Sequence, residues 1–253
     1  MLNNITPIIL SFNESENIGR CLENLTIFPN VIVIDSGSFD ETLKIISNYS
    51  NAKVIHNNFV TFADQWNFAI QHHEIKTDWV LAIDSDYMID ATLISELKEI
   101  DFEKYGAYSV DFKYMVNRKI LKASLYPPVT VLINKKKCHY INDGHCMRAV
   151  IDGMVGRLKN KILHDDRKPF SRWLDAQNKY ANQEAALLYS KKWVSLKIQD
   201  KLRRLIIITP WLVPVYYLTV KRGILDKSAG LIYAYQRGLA ELILMIKLIE
   251  IKK

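Results

Sequence analysis

The feature that most restricts the fold of this chain is a strict alternation in its first hundred residues. The short runs ITPIILS, VIVIDS, AKVIH and WVLAIDS are rich in Ile and Val, end at or beside Ser, Asp or Asn, and have the length of buried strands. Between them, SENIGRCLENL, SFDETLKIISNY and FADQWNFAIQHH carry apolar residues at helical spacing, and Ser38 stands three residues before Glu41 as in a capping box. Strands alternating with helices predict a parallel α/β sheet. Ligands of such sheets bind beyond the carboxyl ends of the strands. The residues there are Phe12, Asn13 and Glu14, then Asp35, Ser36, Gly37 and Ser38, then Asp84, Ser85 and Asp86.

From about residue 106 to 163 the pattern changes to shorter mixed strands, AYSVDFKYMV, PPVTVLINKK and KNKILH, the place for an acceptor-recognising half. Pro169 then opens a long helical stretch, with Pro in a favourable first-turn position. Trp173, Gln177, Tyr180 and Glu184 share one face of it, either packed on the sheet or forming an acceptor wall. Two apolar segments follow, 205–220 and 231–251. Pro210 and Pro214 interrupt the first, and Arg237, Glu241, Lys247 and Glu250 the second, so both fall short of the roughly 20 apolar residues that cross a bilayer.

Charge is distributed unevenly. Residues 191–253 hold 13 Lys and Arg against 4 Asp and Glu, whereas the rest of the chain holds 21 against 23. The basic side chains lie among Trp193, Trp211, Tyr216, Tyr217 and Tyr233 and long apolar runs, which suits an anionic lipid surface better than nucleic acid. A helical hairpin packed on protein is the alternative. Three scattered cysteines exclude a disulfide framework and give no zinc spacing. The opening residues lack a basic n-region, so the expectation is a cytoplasmic chain without a cleaved signal peptide.

The sharpest chemical feature is Asp84-Ser85-Asp86. Two carboxylates one residue apart at a strand end can lean toward one Mg²⁺ or Mn²⁺ and the diphosphate it holds, although a solvated turn has the same look. Asp35 also ends a strand and precedes Ser-Gly-Ser, where backbone N–H groups at Gly37 and Ser38 can approach a ligand; a helix N-cap is an equal alternative.

The segments PIILSFNESENIGRCLENL, VIVIDSGSFDET and WVLAIDSDY, in that order, resemble the nucleotide-binding half of inverting family 2 glycosyltransferases with the GT-A fold. FADQWNFAI, GRLKNKILHDDRKPFSRWLDAQNKYANQEA and VKRGILDKSAGLIYAYQRGLAE are similar to the branch that includes lipopolysaccharide inner-core β-glucosyltransferases. The resemblance implies a Rossmann-like mixed sheet flanked by helices over residues 1–190, with 191–253 as a helical, membrane-associating appendage. It implies that Phe12, Asn13 and Glu14 hold the nucleoside, that Asp35 bonds the base, and that Asp84 and Asp86 bind metal and diphosphate. Gln65 and Asn67 fall where the family approaches the donor sugar and phosphates, with Trp66 where a basic residue is usual.

Inverting transfer also needs a carboxylate base for the acceptor hydroxyl. The resemblance points to Asp143, in Asn142-Asp143-Gly144-His145, although Asn142 replaces the first acid of the family's pair and Asn-Asp-Gly also reads as a turn. In His164-Asp165-Asp166-Arg167, His164 matches a third metal or phosphate contact, and Arg167 or Lys168 can neutralise the leaving diphosphate. Asp165 and Asp166 are second choices for the base, or else caps of the helix near Pro169.

Together these features predict a peripheral enzyme on the inner face of the cytoplasmic membrane. It would carry a sugar from a nucleotide-diphosphate donor to a lipid-linked saccharide with a divalent metal. A sugar nucleotidyltransferase would show G-x-G-x-R after the first strand, where Ser11-Phe12-Asn13-Glu14 stands. A non-catalytic membrane-attached protein would not need the Asp84/Asp86 pair.

Overall fold

The computed structural model describes residues 2–143 and 146–252. Gly144 and His145, part of the turn considered for the base, lie outside the described residues.

The alternation in the sequence becomes β1 (Ile5–Ser11), α1 (Ile18–Glu23), β2 (Val31–Asp35), α2 (Thr42–Ile46), β3 (Ala52–His56), α3 (Phe62–Gln71) and β4 (Trp79–Asp84). There follow β5 (Tyr87–Met88), α4 (Ala91–Lys98), β6 (Ala107–Val110), β7 (Phe112–Val116), β8 (Lys119–Ile120), β9 (Val129–Asn134), β10 (Cys138–Asp143), β11 (Cys146–Ile151), β12 (Val155–Arg157) and β13 (Ile162–His164). The rest is helical: α5 (Phe170–Ser190), α6 (Ile198–Arg204), α7 (Thr209–Thr219) and α8 (Lys227–Ile251).

The chain forms two compact units. The first comprises Met1–Lys113, Tyr126–Asn142 and Cys146–Arg167; the second comprises Tyr114–Leu125, Asp143–His145 and Lys168–Lys253.

The first unit is built on a seven-stranded sheet of order β12-β6-β9-β4-β1-β2-β3. β1 is parallel to β2 and β4, β2 is parallel to β3, and β9 runs antiparallel to β4 and β6, so the sheet is mixed. Successive side chains alternate between faces. Ile9, Val31, Val33, Leu81 and Ile83 bury one face with residues of α1, α2 and α4, while Ile8, Ile32, Ile34, Val80 and Ala82 bury the other against α3 and Tyr140. Helices on both faces explain why these strands are apolar throughout rather than alternating. The chain runs outward from β1 through β2 to β3 and then returns to β4 on the other side of β1. That reversal leaves a crevice beyond the carboxyl ends of β1 and β4.

A smaller sheet completes the crevice. β13 pairs antiparallel with β5, setting His164 opposite Tyr87 and Leu163 opposite Met88.

The second unit takes in α5 together with the basic segment 191–253, because α5 packs on α8 through Ala181, Ala185, Leu188, Leu244 and Leu248. A second cluster joins Val116 and Leu121, around β8, to Tyr217, Ala229, Tyr233 and Ala234. α7 and α8 approach closely at glycine. A Cβ on Gly238 would lie 2.7 Å from Pro214 Cγ, and one on Gly230 would collide with the Gly223 carbonyl oxygen. Glu241, buried in α8, is paired with Arg203 (Nη2 to Oε1, 2.6 Å), which is also 3.6 Å from Glu184. Buried charges persist where they are paired in this way. Among the described residues, no helix is long and apolar enough to cross a membrane.

The capping box expected from Ser38 and Glu41 does not form. α2 starts only at Thr42, its N-cap Glu41 makes no side-chain cap bond, and the Ser38 hydroxyl is engaged by Asp35.

Candidate active site

Two loops meet at the ends of β1 and β2. Asp35 is fully buried, and its carboxylate accepts from the Gly37 N–H (2.9 Å), the Ser38 N–H (2.9 Å) and the Ser38 hydroxyl (2.5 Å). Gly37 has φ +89°, a left-handed conformation that glycine adopts without the Cβ penalty, so it permits this tight turn. Asn13, with φ +54°, donates its N–H to Ser38 Oγ (2.8 Å) and accepts from the Phe39 N–H at Oδ1 (2.9 Å), tying the two loops together. Glu14 N–H donates to Thr42 Oγ1 (2.7 Å). Asp35 therefore acts on its surroundings through the turn that it organises. Phe12 and Phe39 are exposed and make an edge-to-face contact at 6.1 Å above that turn. Phe39 had no sequence signal beyond its place after Ser-Gly-Ser.

At the end of β4, the Asp84 carboxyl is pushed up to about 6 by burial and by the neighbouring Asp86. β13 carries His164 to this pair, with Nε2 3.0 Å from Asp86 Oδ2 and the Asp165 N–H donating to the Asp86 carbonyl (3.0 Å). The imidazole is buried among Tyr87, Phe112 and Tyr126. Burial opposes its charged form, but the carboxylates of Asp86, Asp84 and Asp166 outweigh that and raise its pKa. Cys21, whose Sγ is 3.8 Å from the Asp84 carbonyl, is no nucleophile, since burial and then Asp86 and Asp84 push its thiol far up.

The His164-Asp165-Asp166-Arg167 loop is held by two residues of the α1 region that the sequence reading had not singled out. Arg20 Nη1 meets Asp165 Oδ2 at 2.7 Å, and its Nη2 donates to the Asp165 carbonyl (2.9 Å) and to Asn17 Oδ1 (2.7 Å). Buried Asn17 donates from Nδ2 to Glu14 Oε2 and to Asp166 Oδ1, both at 3.0 Å, and accepts from the Arg167 N–H (3.1 Å). Arg167 Nε adds a 3.0 Å contact to Asp165 Oδ2. Asp165 is thus gripped by two guanidiniums, and no side chain caps α5, whose N-cap is Pro169. The spacing of Asn17 and Arg20 on one helical turn was visible, but their partners lie about 150 positions away.

Gln65 and Asn67 are engaged by protein. Gln65 is buried and bonds Asn57 Nδ2 (2.7 Å) and Ser36 Oγ (3.0 Å), while Asn67 brackets Tyr140 by accepting from its N–H and donating to its carbonyl, both at 2.8 Å. Trp66, in the place where a basic residue is usual, stacks on Tyr140 at 5.6 Å. Asp143 belongs to the second unit, is exposed, and has Lys191 Nζ 4.0 Å from Oδ1. A cavity of about 610 Å³ lined by Glu96, Asp101, Lys104, Tyr108 and Arg157 shares no residue with the Asp84–His164 cluster. Its acids, Glu96, Glu99 and Asp101, lie on α4 and the residues that follow it rather than at the carboxyl end of a strand.

Among the described residues no three His, Cys, Asp or Glu side chains form a ready-made metal site. The cluster offers two strand-end carboxylates with hard oxygen donors, one of them, Asp84, destabilised as an anion by burial and then by the other.

The family model for glycosyl transferase family 2 matches residues 6–151, from the second residue of β1 to the end of β11, including the Asp84/Asp86 pair. The chain belongs to glycosyl transferase family 2. It is 30% identical over 195 residues to an uncharacterized glycosyltransferase of Rickettsia bellii, covering 74% of this chain and 60% of that protein. The chain therefore spans less than two thirds of that relative's length. It is also 27% identical over 254 residues to the lipopolysaccharide core biosynthesis glycosyltransferase LpsC of Rhizobium meliloti, covering 91% of this chain and 89% of LpsC. In fold it is similar to S. aureus TarS 1–349 in complex with UDP-GlcNAc, with a TM-score of 0.50 at 14% identity over 98% of this chain and 91% of the other. The mixed sheet flanked by helices is the GT-A architecture expected from the sequence.

Proposed function

We propose that this chain transfers a sugar, with inversion, from a nucleotide-diphosphate donor to a lipid-linked saccharide of the lipopolysaccharide core or a related surface glycan. The observation that carries the reading is the convergence of Asp84, Asp86 and His164 at the carboxyl ends of β1 and β4, beside the Asn13–Asp35–Ser38 loop pair. The LpsC relative supports the core acceptor, and the UDP-GlcNAc complex of the fold neighbour supports a nucleotide sugar.

The base and ribose would lie along Phe12, Asn13, Glu14 and the Gly37–Ser38 turn, with Phe39 offering a second aromatic face. Asp84 and Asp86 fit a divalent cation, Mg²⁺ or Mn²⁺, which commonly takes one or two carboxylates and completes its shell with substrate phosphates. When bound, such a cation supplies Lewis-acid stabilisation of the leaving diphosphate. His164 holds Asp86 in place, and Arg167 adds positive charge for the same leaving group.

In the transfer itself, the acceptor oxygen forms a bond to the anomeric carbon from the face opposite the diphosphate. The bond from that carbon to the phosphate oxygen breaks, its electron pair leaves with the diphosphate, and a carboxylate removes the hydroxyl proton. Direct displacement needs no nucleophilic side chain. Asp143 remains the first candidate for the base. Asp166, exposed and bonded to Asn17, is the second, ahead of Asp165 with its two arginine partners.

The reading is tested by thermal shift with UDP-, GDP-, ADP- and CMP-sugars in Mn²⁺, Mg²⁺ or EDTA. Stabilisation by one nucleotide sugar that needs metal and is lost in Asp86→Ala is expected; no stabilisation by any donor with either metal would sink the reading. Asp143→Ala should abolish transfer yet keep donor binding, and retained turnover would move the base to Asp166.

A further inference from the structure

The second unit carries an apolar surface that nothing in the donor site uses. Along α7, Thr209, Pro210 and Tyr217 are buried. Ile208, Trp211, Leu212, Val215, Tyr216 and Val220 are exposed, Trp211 to 74%. Steps of three and four residues place them on one side of the helix. The stripe continues beyond the helix through exposed Ile224 and Leu225. Most soluble surfaces scatter such residues singly, and a continuous apolar stripe marks an interaction surface.

The charge at its rim identifies the occupant. Lys221, Arg222 and Lys227 are exposed just past the carboxyl end of α7; Arg222 (φ +58°) adopts the left-handed conformation that non-glycine residues rarely take, and Lys227 also has a positive φ (+55°). Between Asp200 and Glu241 the only acid is Asp226, and its carboxylate accepts from the Lys122 N–H. A cavity of about 600 Å³ lined by Leu218, Thr219, Ile224 and Leu225 also has Arg222 in its wall, an apolar recess with a guanidinium at hand. Apolar stripe, aromatic residues and a basic rim match an acyl boundary beneath anionic headgroups. A second copy of the chain would instead bring the same basic rim to the contact.

We propose that α7 and the 221–227 turn form the membrane-docking element of this protein. In this arrangement α7 lies along the bilayer plane, Trp211, Leu212 and Val215 enter the acyl boundary, and Lys221, Arg222 and Lys227 meet anionic lipid phosphates. This gives a structural basis to the lipid-linked acceptor of the proposed function, on which it rests.

The full-length chain is tested by co-sedimentation with vesicles of phosphatidylglycerol and phosphatidylcholine against vesicles of phosphatidylcholine alone, with no nucleotide or acceptor present. Each basic residue near an anionic surface is worth about five-fold in partition, so the wild type should prefer the anionic vesicles by roughly 100-fold. Lys221→Gln/Arg222→Gln/Lys227→Gln should remove most of that preference. Trp211→Ser/Val215→Ser should lose binding to both, while brominated acyl chains should quench wild-type tryptophan fluorescence more than that of Trp211→Phe. The substituted side chains are exposed, and an unchanged melting temperature of the variants checks their folding. Wild-type binding by Trp211→Ser/Val215→Ser, or no binding of the parent to anionic vesicles, overturns the proposal. So does a dimer in light scattering that Trp211→Ser/Val215→Ser dissociates, which would make the stripe a self-association face. Metal-dependent donor stabilisation is read separately, so a failure here leaves the donor-site reading standing and the reverse.

Discussion

Replacing Asp84 by Asn should make the metal-free protein more stable and the enzyme inactive. Burial and the adjacent Asp86 raise the Asp84 carboxyl to about 6. In the unfolded chain it would titrate near its ordinary value of about 3.9. The folded state thus holds a proton between about pH 4 and 6 that the unfolded state has released. The stabilising contribution of protonation is fully present below about pH 4 and is lost as pH rises through 6. At pH 7.5 the ionised carboxylate costs the fold about 3 kcal/mol at most, from about 1.4 kcal/mol for each pH unit of displacement. Asn keeps the shape and removes the charge, but it also removes an attraction to His164, so a gain of about 1–3 kcal/mol is expected. For a chain of this size that is a rise in Tm of roughly 3–9 °C. The assay is thermal unfolding in EDTA from pH 5 to 8. The gain should be largest at pH 7.5 and shrink toward pH 5, where the parent's Asp84 is mostly protonated. An Asn variant no more stable than the parent at pH 7.5, or a gain that does not change with pH, would refute the electrostatic reasoning.

Three further outcomes can be checked. Arg20→Ala removes four hydrogen bonds, one of them to Met88 Sδ, and leaves Asp165 with Arg167 alone, so unfolding in denaturant should show a loss of about 2–4 kcal/mol, and Arg20→Lys should restore only part of it. Phe39→Ala should weaken donor binding measured by calorimetry by about 1–3 kcal/mol while leaving Tm within about 1 °C, because the ring is 83% exposed and contributes little to the core. Gly230→Val should lower Tm or prevent soluble expression, since even a Cβ there meets the Gly223 carbonyl oxygen, whereas Ser228→Ala, an exposed change in the same helix, should be silent.

The strands and helices of the first unit were legible because their determinants are local. VIVID and WVLAI have the composition of strands covered on both faces, and Asp84, Asp86 and Asp35 announced themselves by ending them. His164 was legible as a strand-end residue, but its contact with Asp86 depends on the β5–β13 pairing, which joins positions nearly eighty residues apart. The roles of Asn17 and Arg20 were hidden for the same reason: both act on a loop about 150 residues away. Ser38 shows a different failure. Its spacing to Glu41 fits a capping box, yet a buried carboxylate competes for the hydroxyl and wins, because Asp35 without the Ser38 and Gly37 donors would be a buried, unsatisfied charge. Gln65 and Asn67 illustrate a related limit, since spacing places a residue on a helix face but does not say whether its amide bonds a ligand or a neighbouring strand.

The second unit draws Val116 and Leu121 from one part of the chain and Tyr217, Ala229, Tyr233 and Ala234 from another, about a hundred residues later. On the ribosome, at about 5–20 residues per second, the β7–β8 hairpin waits roughly 5–20 s before its apolar partners exist. The first unit is complete at Arg167, well before α7 and α8 are made. During that interval a nascent chain displays a finished first unit with an uncovered greasy hairpin, a natural client for a chaperone that reads apolar surface.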